Sequence, residues 1–306
     1  MRYICIGLVM GIAEILPGVS GGTIAFISGI YSRLLNALKS LNPKLLVDFY
    51  RTGFRVTWKA LDVFFLLSLF LGMGIGIVLF ANVISFLLQN KPVMLWSFFF
   101  GLVLASCVVI IRDTNMRIFE TYLYLGIGIS VGLLVTQFEP LDIEPTPISL
   151  FFGGIISVCA WILPGISGSF VLLIFGLYSY VIESIRSFDL AALSALVAGC
   201  VLGIMLFSRI LSFLLAKFRN KVLSVLVGLM FGSLVKLWPW KSTLSYQMGS
   251  DGSQMPLIQE AVLPSTYTIL TNQEADVLQA LLAVSLGAAL VIILHRINLR
   301  SNISYD

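Results

Sequence analysis

Two nearly identical stretches, ILPGVSGG at 15–22 and ILPGISGS at 162–169, interrupt long apolar segments of this chain. We call them the first and the second motif. Proline has no N–H and clashes with the preceding helical turn, so Pro17 and Pro164 are expected to end the helices that lead into them. The glycines beside them permit a tight or left-handed backbone. Each motif therefore predicts a helix break inside an apolar segment.

The composition places the chain in a lipid bilayer. Of 306 residues, 58% are hydrophobic and only 11% are charged, which is more apolar surface than a water-soluble domain can bury. Apolar runs of about 18 residues or more predict membrane spans. They lie at 62–88, 93–111, 121–137, 190–215, 222–237 and 277–294.

The chain is an internal repeat. Residues 13–31 align with 160–178 without a gap, and 76–88 align with 203–215. We predict a first repeat at 1–138 and a second at 148–294, each with one motif segment (3–31 or 148–182) followed by three spans. Because three crossings are odd, the second repeat should be inverted relative to the first, as in many transporters.

Each motif segment is predicted to be re-entrant. Residues 3–16 would extend about 21 Å as a helix, which is short of the roughly 30 Å apolar core, so a hairpin that returns to its own side fits better than a crossing. The predicted fold class is an all-α polytopic membrane protein forming one membrane domain. The role of the loop 238–275 is left open.

The distribution of charge predicts the orientation. With re-entrant motifs, fourteen Lys and Arg residues fall on one side of the membrane and four on the other, while acidic residues show the opposite bias. The basic side is expected to be cytoplasmic. Both termini should therefore lie in the cytoplasm.

The motifs are candidates for an anion site. Ser20 and Ser167 are favourable N-caps for the helices that lead out, and free backbone N–H groups at such turns attract anions. Two loops meeting near the midplane would form a cradle. Its candidate residues are Pro17, Gly18, Ser20, Gly21 and Gly22, then Pro164, Gly165, Ser167 and Gly168, with Thr23 and Ser169 as hydroxyl donors. The alternative is that proline and glycine only kink helices and permit close packing.

Two embedded charges carry further hypotheses. Glu14, which aligns with Trp161, has two candidate roles: it titrates or binds a cation during transport, or it accepts hydrogen bonds that only hold the fold. Arg209 either neutralises a phosphate or extends its head group to the membrane surface. No Cys/His constellation is present, so neither a metal nor another cofactor is expected.

The stretches GIAEILPGVSGGTIAFISGIY (11–31) and WILPGISGSFVLLIFGLY (161–178) resemble the bacterial polyprenyl-phosphate transporter family over nearly the whole chain. The resemblance implies transport of undecaprenyl phosphate from the outer to the inner leaflet of the bacterial cytoplasmic membrane, which returns the carrier to cell-wall precursor synthesis. It implies a polyprenyl-phosphate lipid as partner and no nucleic acid, with a homodimer left open. The second copy departs from the first at Ser169 and Phe170, where Gly22 and Thr23 stand.

Two other functions are weighed against transport. Membrane undecaprenyl-diphosphate phosphatases are similar in having repeated P-G-x-S loops, but theirs continue with arginine and they carry paired glutamates. Here Gly21 and Gly168 occupy the place of that arginine, and Glu14 is the one embedded carboxylate, so we expect no enzyme. An inorganic-anion channel or exchanger could use the same helix ends.

Overall fold

The structure, a computed structural model, describes residues 1–16, 18–41, 58, 60–112, 119–138, 140–141, 143–248 and 254–303. Within these ranges the chain is mostly helical. The first half comprises α1 (Arg2–Glu14), α2 (Gly21–Ile27), α3 (Tyr31–Ser40), α4 (Val63–Asn90), α5 (Pro92–Arg112) and α6 (Phe119–Gln137). The second half comprises α7 (Pro147–Ile162), α8 (Gly168–Ile174), α9 (Tyr178–Arg186), α10 (Leu190–Lys217), α11 (Arg219–Ser233), β1 (Lys241–Met248), β2 (Gln254–Ala261), α12 (Pro264–Thr271) and α13 (Val277–Ile303).

Each motif forms a turn between a longer helix and a helix of seven residues. The break occurs where a left-handed backbone is needed: φ is +101° at Gly18 and +92° at the aligned Gly165. A second aligned pair, Gly29 and Gly176, also has positive φ, at +70° and +71°. Side chains disfavour this region, so glycine permits the turn. The sequence repeat is therefore also a repeat of local backbone geometry.

The two halves interlock through closely packed helix pairs. Within each half α1 packs along α4 and α7 packs along α10, whereas α5 packs on α13 and α6 packs on α11 across the halves. A Cβ at Gly72 or Gly76 would meet the backbone of α1, and one at Gly199 would meet the backbone of α7. Likewise, Gly128 and Gly228 bring α6 and α11 together. These glycines therefore let the paired helices approach each other closely.

Five of the described helices are long and apolar enough to cross a membrane: Val63–Asn90, Pro92–Arg112, Phe119–Gln137, Leu190–Lys217 and residues Val277–Arg296 of α13. They coincide with five of the six predicted spans. The sixth prediction, 222–237, falls on α11, which has only 15 residues and ends at Ser233. The chain then turns, with Lys236 N–H donating to Ser233 and Leu237 N–H donating to Leu234. Helices α8 and α9 are bent by 109° relative to each other.

The stretch 238–275, left open by the sequence, contains a β-hairpin and α12, which adds strands to a fold predicted as all-α. The strands are antiparallel, with Lys241 opposite Ala261. Two indole N–H groups tie the hairpin to the chain around it: Trp238 donates to the Val262 carbonyl (2.8 Å) and Trp240 to the Ala275 carbonyl (2.7 Å). Both bonds lie within segment 238–275, and the segment is attached to the helix ends through Trp240, which packs with Val93 of α5 and Ala280 of α13.

Candidate functional site

The two motif turns contact each other directly. The Ser20 hydroxyl donates to the Leu163 carbonyl at 3.2 Å, and the Gly165 N–H donates to the Thr23 hydroxyl oxygen at 3.1 Å. Buried backbone groups need such partners, because an unpaired one in an apolar interior is costly. The prediction that the motifs meet is therefore confirmed by hydrogen bonds between residues more than 140 positions apart.

A third hydrogen bond strengthens this junction. The hydroxyl of Tyr31, which is 4% exposed, donates to the Ile162 carbonyl at 3.1 Å. That carbonyl belongs to the last residue of α7, where intrahelical partners run out. In all three contacts a side chain of the first repeat binds the backbone of the second. The junction is thus asymmetric although the sequences are duplicated.

Glu14 sits at the base of the first motif turn. Its Oε1 accepts a hydrogen bond from the Gly21 N–H at 2.6 Å, and the Trp161 side chain is a further hydrogen-bond partner. Glu14 and Trp161 occupy aligned positions of the two repeats, so the structure pairs the residue that breaks the symmetry with its own counterpart. The contact expected of a fold-holding role is present, and the coupling role stays a prediction.

The cap residues behave differently in the two motifs. The Ser20 hydroxyl caps α2 by accepting from the Gly22 N–H at 3.1 Å. Ser167 holds the corresponding N-cap position of α8 but makes no cap bond, because its hydroxyl is hydrogen-bonded to that of Ser169 at 2.8 Å. The cap prediction is confirmed for Ser20 and wrong for Ser167.

The prediction of free amides in both turns needs the same correction. In the first motif, the N–H groups of Gly21 and Gly22 are bonded to Glu14 and Ser20. Within the described residues, no acceptor is recorded for the N–H groups of Gly168 and Ser169 at the start of α8. The amides at the start of the outgoing helix are therefore bonded in the first motif and open in the second.

A small pocket with a cavity volume of about 10 Å³, enough for roughly one water molecule, adjoins the junction. It contains residues from both turns and from the helices beside them: Gly18, Gly132, Val135, Thr136, Gly165, Ile166, Ser167, Phe170, Ser233 and Lys236. Both left-handed glycines face it, and Lys236 gives it a cation. The other residues of its wall are neutral, so Lys236 is the charged group that an anion at this place would meet.

The structure places the other predicted site residues at different distances from the pocket. Gly18, Gly165 and Ser167 line the pocket, while Ser20, Thr23 and Gly22 build the junction behind it. Pro164 is buried beside the end of α7, and Gly168 and Ser169 begin α8 next to the pocket. Arg209 lies on α10 and is not among the pocket residues, and Pro17 lies outside the described residues.

Sequence reasoning missed two of these features. The sequence predicts Lys236 at the outer end of span 222–237, as one of the four basic residues on the less basic side of the membrane. The end of α11 at Ser233 instead turns Lys236 back over the first motif. The sequence does single out Tyr31, because it recurs as Tyr178, but the repeat does not indicate which carbonyl its hydroxyl contacts.

These features define a polytopic helical membrane protein whose two broken-helix turns meet at a polar pocket. The chain belongs to the VCA0040-like family, described as undecaprenyl phosphate translocase-like, whose model matches residues 10–255. The resemblance noted from the two motifs is thereby confirmed.

Two relatives share most of the chain's length. It is 42% identical over 290 residues to a polyprenyl-phosphate transporter of Vibrio cholerae serotype O1, an alignment that covers 95% of this chain and 94% of the relative. It is 27% identical over 262 residues to a polyprenyl-phosphate transporter of Staphylococcus aureus, with 76% and 84% covered. No solved structure matches the chain at a comparable level.

Proposed function

We propose that this protein transports polyprenyl phosphate, specifically undecaprenyl phosphate, from the outer to the inner leaflet of the bacterial cytoplasmic membrane. The phosphate headgroup binds at the pocket beside the two motif turns, which must widen beyond its volume of about 10 Å³ to admit it, while the polyprenyl tail stays in lipid. The carrier is thereby returned to cell-wall precursor synthesis. The names of the relatives support the substrate, and the pocket supports the mechanism.

The pocket between the motif turns carries the proposal. A phosphate in hydrocarbon is very costly, whereas a pocket with an ammonium, hydroxyls and backbone amides replaces part of its hydration. On one side the pocket is lined by Gly132, Val135 and Thr136 of α6. The neighbouring Leu134 is 60% exposed, so this helix presents an open apolar surface on which a tail can lie.

The inverted repeat supplies the alternating access. Under the charge-based orientation both termini are cytoplasmic, and the two motif segments enter from opposite leaflets. The repeated turn geometry and the crossed packing of α5 on α13 and α6 on α11 support this arrangement. Glu14 couples transport to a proton or a sodium ion, because its carboxylate lies in the junction that must rearrange.

One reconstitution assay tests the function and separates it from its alternatives. Purified protein is inserted into liposomes containing labelled undecaprenyl phosphate, and leaflet distribution and free phosphate are followed over time. Transport predicts equilibration of the lipid between leaflets without phosphate release. Phosphate released from undecaprenyl diphosphate would instead indicate a phosphatase, and passage of chloride or sulfate alone would indicate a channel.

A matched pair of variants ties this activity to the junction. Thr23→Val keeps the side-chain shape but removes the acceptor for the Gly165 N–H, so it should slow lipid movement. Thr268→Val is the control, because that hydroxyl bonds only to the Pro264 carbonyl of its own helix. Wild-type liposomes that equilibrate the lipid no faster than protein-free liposomes would refute the proposed function.

A further inference from the structure

The segment KLWPWK (236–241) follows α11 and carries a lysine at each end. We propose that Lys236 and Lys241 together bind the phosphate monoester headgroup of the lipid substrate as it reaches the pocket, with Lys236 in the pocket wall and Lys241 five residues later at the start of β1. This inference rests on the proposed function and assigns the binding role to two residues outside both motifs.

Lys236 lies directly on the first motif turn. A Cβ on Gly18 would come within 3.2 Å of the Lys236 Cγ, so the glycine makes room for the lysine stem. The ammonium lies 4.8 Å from the centre of the ring of Phe170, which also lines the pocket. Lys236 is therefore held between the two repeats at the place where an anion would sit.

Lys241 is a buried cation without a hydrogen-bond acceptor. Its side chain begins on β1 and is only 9% exposed, and its Nζ has no hydrogen-bond partner among the described residues. The Nζ lies 3.3 Å from the centre of the Trp96 ring. A cation–π contact offsets part of the cost of burying an ammonium, but it leaves three N–H donors unsatisfied.

The two lysines have no acidic partner. The ion pairs recorded in the described part of the chain are Arg33–Asp62 and Lys221–Glu120, and neither involves these lysines. Burial, and then the nearby charge of Lys236, lower the pKa of Lys241 well below its usual value. Keeping Lys241 protonated is therefore unfavourable in the empty protein, because a buried charge without a counter-charge costs more than an apolar side chain of similar size.

A phosphate monoester is the ligand that removes this cost. Near neutral pH it carries between one and two negative charges and offers three acceptor oxygens, which match two ammonium groups with free donors. The same chemistry would serve inorganic phosphate. The lipid form is favoured because α6, with its exposed apolar surface, forms one side of the pocket.

The experiment compares three variants of the full chain. Lys236→Gln removes the charge in the pocket wall, and Lys241→Met removes the buried charge but keeps an unbranched apolar chain. Lys91→Gln is the matched control, because Lys91 is an exposed lysine of another pocket, between α4 and α12. Purified proteins are titrated in detergent with undecaprenyl phosphate or with inorganic phosphate, and the thermal unfolding temperature is measured. Bound ligand raises that temperature.

We expect the apparent affinity for undecaprenyl phosphate to fall about 10- to 100-fold in Lys236→Gln and in Lys241→Met, as for loss of one charge-assisted hydrogen bond. Lys91→Gln should bind like the wild type. Without ligand, Lys241→Met should unfold at the same temperature as the wild type or higher, which a purely structural lysine would not do.

The outcomes separate the two proposals. Unchanged lipid affinity in both lysine variants would overturn the inference while leaving lipid transport by the wild type standing. A wild type that is stabilised by inorganic phosphate and not by the lipid would reassign the pocket to a free anion and overturn the headgroup assignment. Failure of the wild type in the liposome assay would refute the proposed function itself, and the inference with it.

Discussion

Replacing Ser20 and Ser167 with alanine should have unequal effects, although the two serines occupy the same motif position. Ser20 accepts from the Gly22 N–H and donates to the Leu163 carbonyl, so it serves as a cap and as a bridge between the repeats. Ser167 bonds only to the hydroxyl of Ser169. A third buried serine, Ser106, bonds to the Leu102 carbonyl of its own helix and provides the control.

The expected magnitudes follow from these partners. Losing an N-cap costs about 1 kcal/mol, and losing a buried hydrogen bond costs about 1 kcal/mol more, so Ser20→Ala should destabilise the fold by about 2 kcal/mol. Ser167→Ala should cost about 0.5–1 kcal/mol, since only one hydroxyl pair is lost. Ser106→Ala should be close to neutral, because the Leu102 carbonyl keeps its helical N–H. All three side chains are at most 1% exposed, so burial does not distinguish them.

Reversible unfolding in mixed micelles measures this difference. Increasing amounts of SDS are added, and unfolding is followed through the fluorescence of the five tryptophans. A difference of about 1 kcal/mol between the Ser20 and Ser167 variants corresponds to about a fivefold difference in the unfolding equilibrium constant. Equal destabilisation by the two variants, or a cost for Ser106→Ala as large as that for Ser20→Ala, would show that the asymmetric junction is not how the motifs are held.

Three further predictions concern the ion-coupling role of Glu14, helix packing at two glycines of α4, and the charge of Arg209. Glu14→Gln keeps an oxygen for the backbone N–H of α2, so the protein should fold while ion-dependent flux is lost; normal pH-dependent flux in liposomes would refute the coupling role. Gly76→Ala should destabilise the fold by about 1–3 kcal/mol, because its methyl group would meet the α1 backbone. Gly74→Ala, with open space around it, should stabilise the fold by up to about 1 kcal/mol. Unfolding titrations of the two variants in SDS compare these values. Arg209→Ala should leave undecaprenyl phosphate affinity unchanged, since Arg209 is not a pocket residue; a tenfold loss would restore its phosphate role.

Much of the fold could be predicted because the membrane simplifies the problem. An apolar run longer than the bilayer thickness has few alternatives to a helix, so five predicted spans coincide with five long helices. The prediction of a span at 222–237 was wrong because apolar composition does not show where a helix ends. The composition of this segment continues to be apolar after α11 ends at Ser233, and hydropathy does not detect a turn made of apolar residues.

The site was less predictable because its hydrogen bonds depend on which of several possible partners lies closest to each polar group. The sequence repeat indicated that the two motifs lie together. It could not show that the Ser167 hydroxyl would bond to the Ser169 hydroxyl and not to a backbone N–H of α8. Lys236 lies outside the aligned blocks and acquires its position from the turn after α11. Short-range patterns therefore identified the turns, whereas long-range contacts decided their hydrogen bonds.

The asymmetry of the junction restricts how an alternating-access cycle could proceed. An exact exchange of roles between the repeats would require the counterpart of Thr23 to accept from the N–H of Gly18, the counterpart of Gly165. That counterpart is Phe170, which has no hydrogen-bonding group and instead contacts Lys236. The two end states of the proposed cycle therefore cannot be related by an exact exchange of the two repeats. One state is held by the Thr23–Gly165 hydrogen bond, and the other must be stabilised by different contacts, of which the headgroup on Lys236 is the one that this pocket can supply.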